Sequence, residues 1–189
     1  MRLTPQGSGS VLTHCTKTAE MAQLFLRRAW QGPTLEDCEA FGWVPDWLSA
    51  TPGWGGFKNL DVGTLLRYLS WHDCGKPFCL SVDETGKTHF KDHAERSASI
   101  WELVGGSEIE QELMRLDMHL HTMSAEDVPD FAKNPLSRML LVAAIAALEA
   151  NKADFGGTDS ASFKIKTKKL LRRARALLHA WGSPPNSQD

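Results

Sequence analysis

The chain has 189 residues, 42% hydrophobic and 23% charged, with a formal net charge of −2 at pH 7. That length suffices for one domain with a substantial core, and the near-neutral balance carries no global basic signal for nucleic acid. The longest apolar run, Met139 to Leu148, falls short of the roughly 18 residues a bilayer span needs, so no membrane partner is expected.

In chain order, residues 1–10 (MRLTPQGSGS) read as a flexible N-terminal arm. Val11 to Trp30 reads as a helix, with His14, Thr18, Met21 and Phe25 on one face. Residues 31–58 are rich in Gly, Pro and Trp and read as an insertion with one short helix around Leu35 to Phe41. Its tryptophans either pack it on the core or line a substrate pocket with a ring for base stacking. A second helix is predicted from Asn59 or Asp61, either of which can cap it. Its stripe of Val62, Leu65, Leu66 and Leu69 extends to Asp73, with His72 at the edge, and Pro77 is expected to stop it.

Residues 81–90 read as a loop or small hairpin. Lys91 to Val104 reads as a helix ended by Gly105-Gly106. Ser107 and Glu110 resemble a capping box for the next helix, whose buried face would be Ile109, Leu113, Leu116, Leu120 and Met123. At about 100° per residue His119 lies about 80° from that face and His121 about 120°, so His119 is expected to point inward. Asn134-Pro135 is expected to start a central helix, apolar nearly all round, that runs to Asn151. A last helix spans 162–181, and 183–189 form a polar tail. The architecture is all-α, a single domain over 11–182 with no internal repeat.

Cys15, Cys38, Cys74 and Cys79 form no CxxC pair and follow no secretory signal. A reducing, cytoplasmic setting is expected, with Cys15 and Cys74 as small packing residues.

His14, the doublet His72-Asp73 and Asp154 all stand at or near the ends of apolar helical faces. Burying such groups unpaired costs several kcal/mol each, and a divalent cation is the simplest compensation. Imidazole nitrogen with carboxylate oxygen suits Mn, Fe, Co, Ni, Zn or Mg rather than a thiolate-selected metal.

Several segments now resemble a family. THCTKTAEMA (13–22), WHDCGKP (71–77), HAERSA (93–98), HLHT (119–122) and ALEANKADFGGTD (147–159) occur in the order of the HD superfamily of metal-dependent phosphohydrolases. The closest resemblance is to the HD domain attached to bacterial tRNA nucleotidyltransferases. Asp92 and Ala94 stand where that pattern has glycine and glutamate. No segment of the 189 residues resembles the nucleotidyltransferase catalytic domain, so tRNA end addition is not implied, and the insertion has no counterpart.

The resemblance implies an all-helical domain in which His14, His72, Asp73 and Asp154 hold one metal. Asp73 would bridge to a second ion held by His93 and by His119 or His121. With one ion only, those histidines would contact phosphate or serve as acid and base. The implied reaction is hydrolysis of a nucleotide or RNA phosphate ester, 2′,3′-cyclic phosphates included, by metal-activated water. Lys76 either charges a phosphate oxygen or answers a helix dipole. Arg96, one turn beyond His93, is either a phosphate contact or a surface ion pair. His89 is a further candidate, and His179 reads as structural or exposed.

Lys164 to Arg175 (KIKTKKLLRRAR) carries seven basic residues and no acid. It is either a solvated face or a guide for a nucleic-acid backbone. Two other functions compete with the phosphoesterase. One is a deoxynucleotide triphosphohydrolase with a base pocket in the insertion, and the other is a non-catalytic nucleotide- or RNA-binding module with a structural metal. The sequence does not set the oligomeric state.

Overall fold

Apolar residues recurring at helical spacing dictate most of the elements in the computed structural model, which describes residues 5–6, 9–32, 39–50 and 52–182. Within the stretch expected to be a loose arm, β1 (Pro5–Gln6) pairs antiparallel with β2 (Gly9–Ser10). Ser10 then caps α1 (Val11–Gln31), its hydroxyl accepting from the Thr13 N–H at 3.2 Å. His14, Thr18 and Phe25 are buried on α1, as the spacing requires, while Met21 of the same face is half-buried against the core and Cys15 is buried beside them.

The described part of the insertion holds α2 (Trp47–Ala50) and a 3-10 helix (Pro52–Asn59). The expected helix around Leu35 to Phe41 lies mostly outside the described residues, although 39–41 are helical. The insertion is fastened by its aromatics. The Trp43 indole donates to buried Glu149 at 2.8 Å and meets the Phe163 ring edge-on, and Phe57 does the same with Trp181.

Asp61 caps α3 (Val62–Trp71), accepting from the Thr64 N–H at 3.1 Å. The helix ends at Trp71, and Pro77 does not stop it. Pro77 instead lies in the first turn of a new short helix, α4 (Lys76–Cys79), where its missing N–H costs nothing. A hairpin follows, β3 (Leu80–Val82) with β4 (Thr88–Phe90), paired antiparallel with Ser81 opposite His89.

Next come α5 (His93–Leu103) and α6 (Glu108–Arg115), the latter opened by a complete capping box of Ser107 and Glu110. The helix expected to run on to Met123 breaks at Leu116. A separate turn, α7 (His119–Thr122), follows. Leu113, Leu120 and Met123 are buried, but Ile109 is exposed. Residues 124–133 contain α8 (Val128–Lys133), again with proline in the first turn. The central helix α9 (Ser137–Ala150) begins beyond Asn134-Pro135, because Asn134 forms a turn and accepts from the Leu136 N–H at 2.8 Å.

The last helix is α10 (Ala161–Gly182). Among the described residues the chain is all-α apart from two short hairpins. Helix α9 packs on α1 and α10, α3 on α1 and α6, and α5 on α4 and α6. The core joins Leu65 and Leu69 of α3, Phe25 of α1, the apolar side chains of α9, and Leu170 and Leu177 of α10. No described helix is long and apolar enough to cross a membrane.

Candidate metal centre

Helix α3 ends, but its phase does not. His72 keeps right-handed helical backbone (φ −52°, ψ −29°), so the apolar stripe carries His72 and Asp73 into the interior, where both are buried. The next residue in the segment explains the glycine. A Cβ at Gly75 would stand 2.5 Å from the Ser97 nitrogen and 2.6 Å from the His93 carbonyl oxygen, closer than atoms can approach. Gly75 thus lets α4 lie directly on α5, and the Gly75 N–H donates to the buried Ser97 hydroxyl at 2.9 Å. That contact sets His93, the first residue of α5, beside Asp73. Asp92 precedes it with φ 58°, a left-handed conformation that aspartate tolerates and glycine adopts freely.

Asp73 stands at the centre. Its Oδ2 is 3.5 Å from His14 Nε2, 3.4 Å from His72 Nε2 and 2.6 Å from the Lys76 ammonium. Its Oδ1 is 3.5 Å from His93 Nε2. His72 Nδ1 lies 2.7 Å from the Leu69 carbonyl, and His93 Nδ1 lies 2.8 Å from the Phe90 carbonyl. A carbonyl only accepts, so each Nδ1 carries hydrogen and each Nε2 is turned toward Asp73. Metal-ligating histidines are oriented in this way by their outer hydrogen bonds.

Two groups of potential ligands share Asp73. His14, His72 and Asp73 form one, and Asp73, His93 and Asp117 the other, each with ligand atoms within 4.8 Å of one another. Donor atoms about 2.1 Å from a common ion lie about 3.4 Å apart at the tetrahedral angle, close to the 3.4–3.5 Å separations around Asp73. The residues present therefore fit a divalent ion. Asp117 is held in place by Tyr68, whose buried hydroxyl donates to it. Burial and the Asp117 charge raise the Tyr68 pKa, keeping the phenol a donor.

The electrostatics centre on Asp73, and a bound cation would take the place of the proton that His72 holds beside it. Burial pushes the Asp73 carboxyl up, but His72, Lys76 and His14 outweigh it and hold Asp73 well below the usual carboxylate range. Burial and the neighbouring His72 lower His14 to about 3, so its imidazole is neutral, the form that ligates. Burial also lowers His72, but the Asp73 carboxylate overrides it and raises His72 well above the imidazole norm. Asp73 thus favours positive charge in this gap.

The groups open into a cavity of about 660 Å³, to which His14, His72, Asp73, Lys76, His93 and Asp117 all contribute. His121 and His89 line it, and His119 does not. The inward expectation for His119 fails. It is exposed and stacks on Phe131 at 5.4 Å, because the break at Leu116 resets the helical phase between Ile109 and Met123. His121 is exposed as well but reaches the cavity wall, where desolvation lowers its pKa, helped by Lys166 and Arg173 and opposed by Asp117.

Asp154 follows α9 on an exposed turn. It raises His14's pKa through space but joins neither ligand group. Arg96 is exposed and does not line the cavity. His179 is exposed on α10. Lys76 opens α4 rather than closing a helix, so its ammonium answers Asp73 and not a C-terminal dipole.

No described residue of the insertion lines the cavity, whereas Lys166, Lys169 and Arg173 of the basic segment do. Asp117 escaped the sequence reading, its only signal being an acid two residues ahead of HLHT in a stretch read as continuous helix. No protein-family model, curated protein or solved structure matches the chain.

Proposed function

We propose that the protein is a metal-dependent phosphohydrolase of the HD type, cleaving a phosphomonoester or phosphodiester of a nucleotide or an RNA end, 2′,3′-cyclic phosphates included. The observation that carries this reading is the buried Asp73 carboxylate, each of whose oxygens faces a separate group of potential ligands. His14 and His72 would hold an ion with Oδ2, and His93 and Asp117 a second with Oδ1. Imidazole and carboxylate donors are consistent with Mn, Fe, Co, Ni or Zn, or with Mg. Such an ion lowers the pKa of bound water and offsets charge on a phosphoryl group.

The protein's own groups have distinct tasks. Asp73 orients the imidazoles and carries the negative charge that a cation answers. Lys76, on the cavity wall, places an ammonium where a phosphate oxygen can accept from it. His121 lines the same cavity as a neutral imidazole able to accept a proton. The deoxynucleotide triphosphohydrolase alternative needed a base pocket from 31–58, and no described residue of that segment reaches the cavity.

The test is hydrolysis of p-nitrophenyl phosphate, bis-p-nitrophenyl phosphate and 2′,3′-cyclic AMP with each metal in turn. Asp73→Ala is expected to lower the rate about 100-fold or more, since even outer-shell changes cost about 10- to 100-fold. An absence of turnover with every metal would overturn the proposal.

A further inference from the structure

The basic segment of α10 does not simply face solvent. Lys166, Lys169 and Arg173 recur at intervals of three and four along that helix, which places them on one stripe. All three line the cavity that holds Asp73. Arg173 is fixed there, its guanidinium donating twice to the Met123 carbonyl at 3.2 and 2.7 Å. Lys166 rests over the Phe155 ring at 4.5 Å. Among the described residues none of the three is ion-paired, whereas Lys164, at the edge of the segment, pairs with Asp159 at 3.3 Å.

Of the two acids lining the cavity, Asp73 is ion-paired with Lys76, and Asp117 keeps its charge while accepting from the neutral Tyr68 hydroxyl. Neither forms an ion pair with the α10 wall, which presents three cations to the cavity. At about 660 Å³ the cavity falls in the range of about 300–1,000 Å³ that accommodates drug-sized ligands, far more than one phosphate needs. Apolar side chains, Met118, Leu148 and Ile165, line it together with the charged groups.

We infer that Lys166, Lys169 and Arg173 form a second anion subsite, so that the substrate carries a further phosphate besides the one held at Asp73. This rests on the phosphohydrolase reading and narrows its substrate class to nucleotides with two separated phosphates. The second phosphate belongs either to a nucleoside bisphosphate or to the adjoining nucleotide of a short oligonucleotide.

Titration calorimetry in EDTA reads binding without turnover, so the result stands apart from whether hydrolysis is found. The probes are AMP, adenosine 3′,5′-bisphosphate and 5′-phosphorylated triadenylate. The intact protein is expected to bind at least one two-phosphate probe about 10-fold or more tighter than AMP. Preference for the bisphosphate assigns a small nucleotide, and preference for the trinucleotide assigns an RNA end. Lys166→Gln with Lys169→Gln, both at exposed positions, is expected to shrink that preference to within about 2-fold. Lys168→Gln with Arg172→Gln, on the same helix but away from the cavity wall, is expected to retain it. Equal affinity for all three probes overturns the inference. So does a preference that survives the first pair, or one lost equally with the second, since that would be general attraction to a basic helix.

Discussion

Gly75 and Ser97 show how single residues assemble a centre from separate helices. Gly75 leaves no room for a methyl group against the backbone of α5, and the Ser97 hydroxyl accepts its N–H inside the protein. Ser97→Ala leaves a buried donor unpaired, a cost of about 1–3 kcal/mol. For a chain of this size that lowers Tm by about 2–4 °C per kcal/mol, which thermal melting measures. Gly75→Ala is expected to lose more, because backbone rather than a flexible side chain must move. The His72-Asp73 doublet was legible at this scale, since helical phase alone carried both side chains inward. Asp117 was not, because its partners His93, Asp73 and Tyr68 come from distant segments.

Among elements, Glu110 joins α3, α5 and α6. It accepts from Arg67 at 2.5 Å and from the Trp101 indole at 2.8 Å, and it closes the capping box with the Ser107 N–H. The Glu110 side chain is buried, which shields its bonds to Trp101 and Ser107, whereas the Arg67 side chain is 59% exposed and water screens that pair. Burial raises its pKa, but Trp101, Arg67 and Ser107 overcome that and lower it. A depressed folded-state pKa contributes stability above the unfolded value of about 4.3, lost as pH falls through the folded value. Glu110→Gln is therefore expected to cost about 1–3 kcal/mol at pH 7. Denaturation across pH 2–7 should show the gap from wild type closing in acid. The capping box itself was readable from Ser107 and Glu110, a local pattern. The added contacts to Arg67 and Trp101 were not, because they depend on how three helices pack.

At the scale of the molecule, the centre draws on α1, the turn after α3, α5 and the turn after α6, so an ion bound there would tie four segments together. A ligand at 100 times its Kd adds about 2.7 kcal/mol to stability, or roughly 5–11 °C in Tm at 2–4 °C per kcal/mol. Adding Mn, Co, Ni or Zn should raise Tm by about that amount, EDTA should reverse it, and His14→Ala should abolish it. A Tm indifferent to every ion would contradict the metal centre.

The sequence by itself determined the all-α architecture, the capped start of α6, and the inward phase of His14, His72 and Asp73, and it narrowed the cap of α3 to Asn59 or Asp61. Each follows from periodicity or from groups a few residues apart. Tertiary structure decided that Asp117 joins His93, that His121 rather than His119 faces the cavity, and that the basic helix forms part of its wall. A break at Leu116 resets helical phase, and the packing of α10 selects which cations line the cavity. Both are consequences of long-range contacts, which local spacing does not encode.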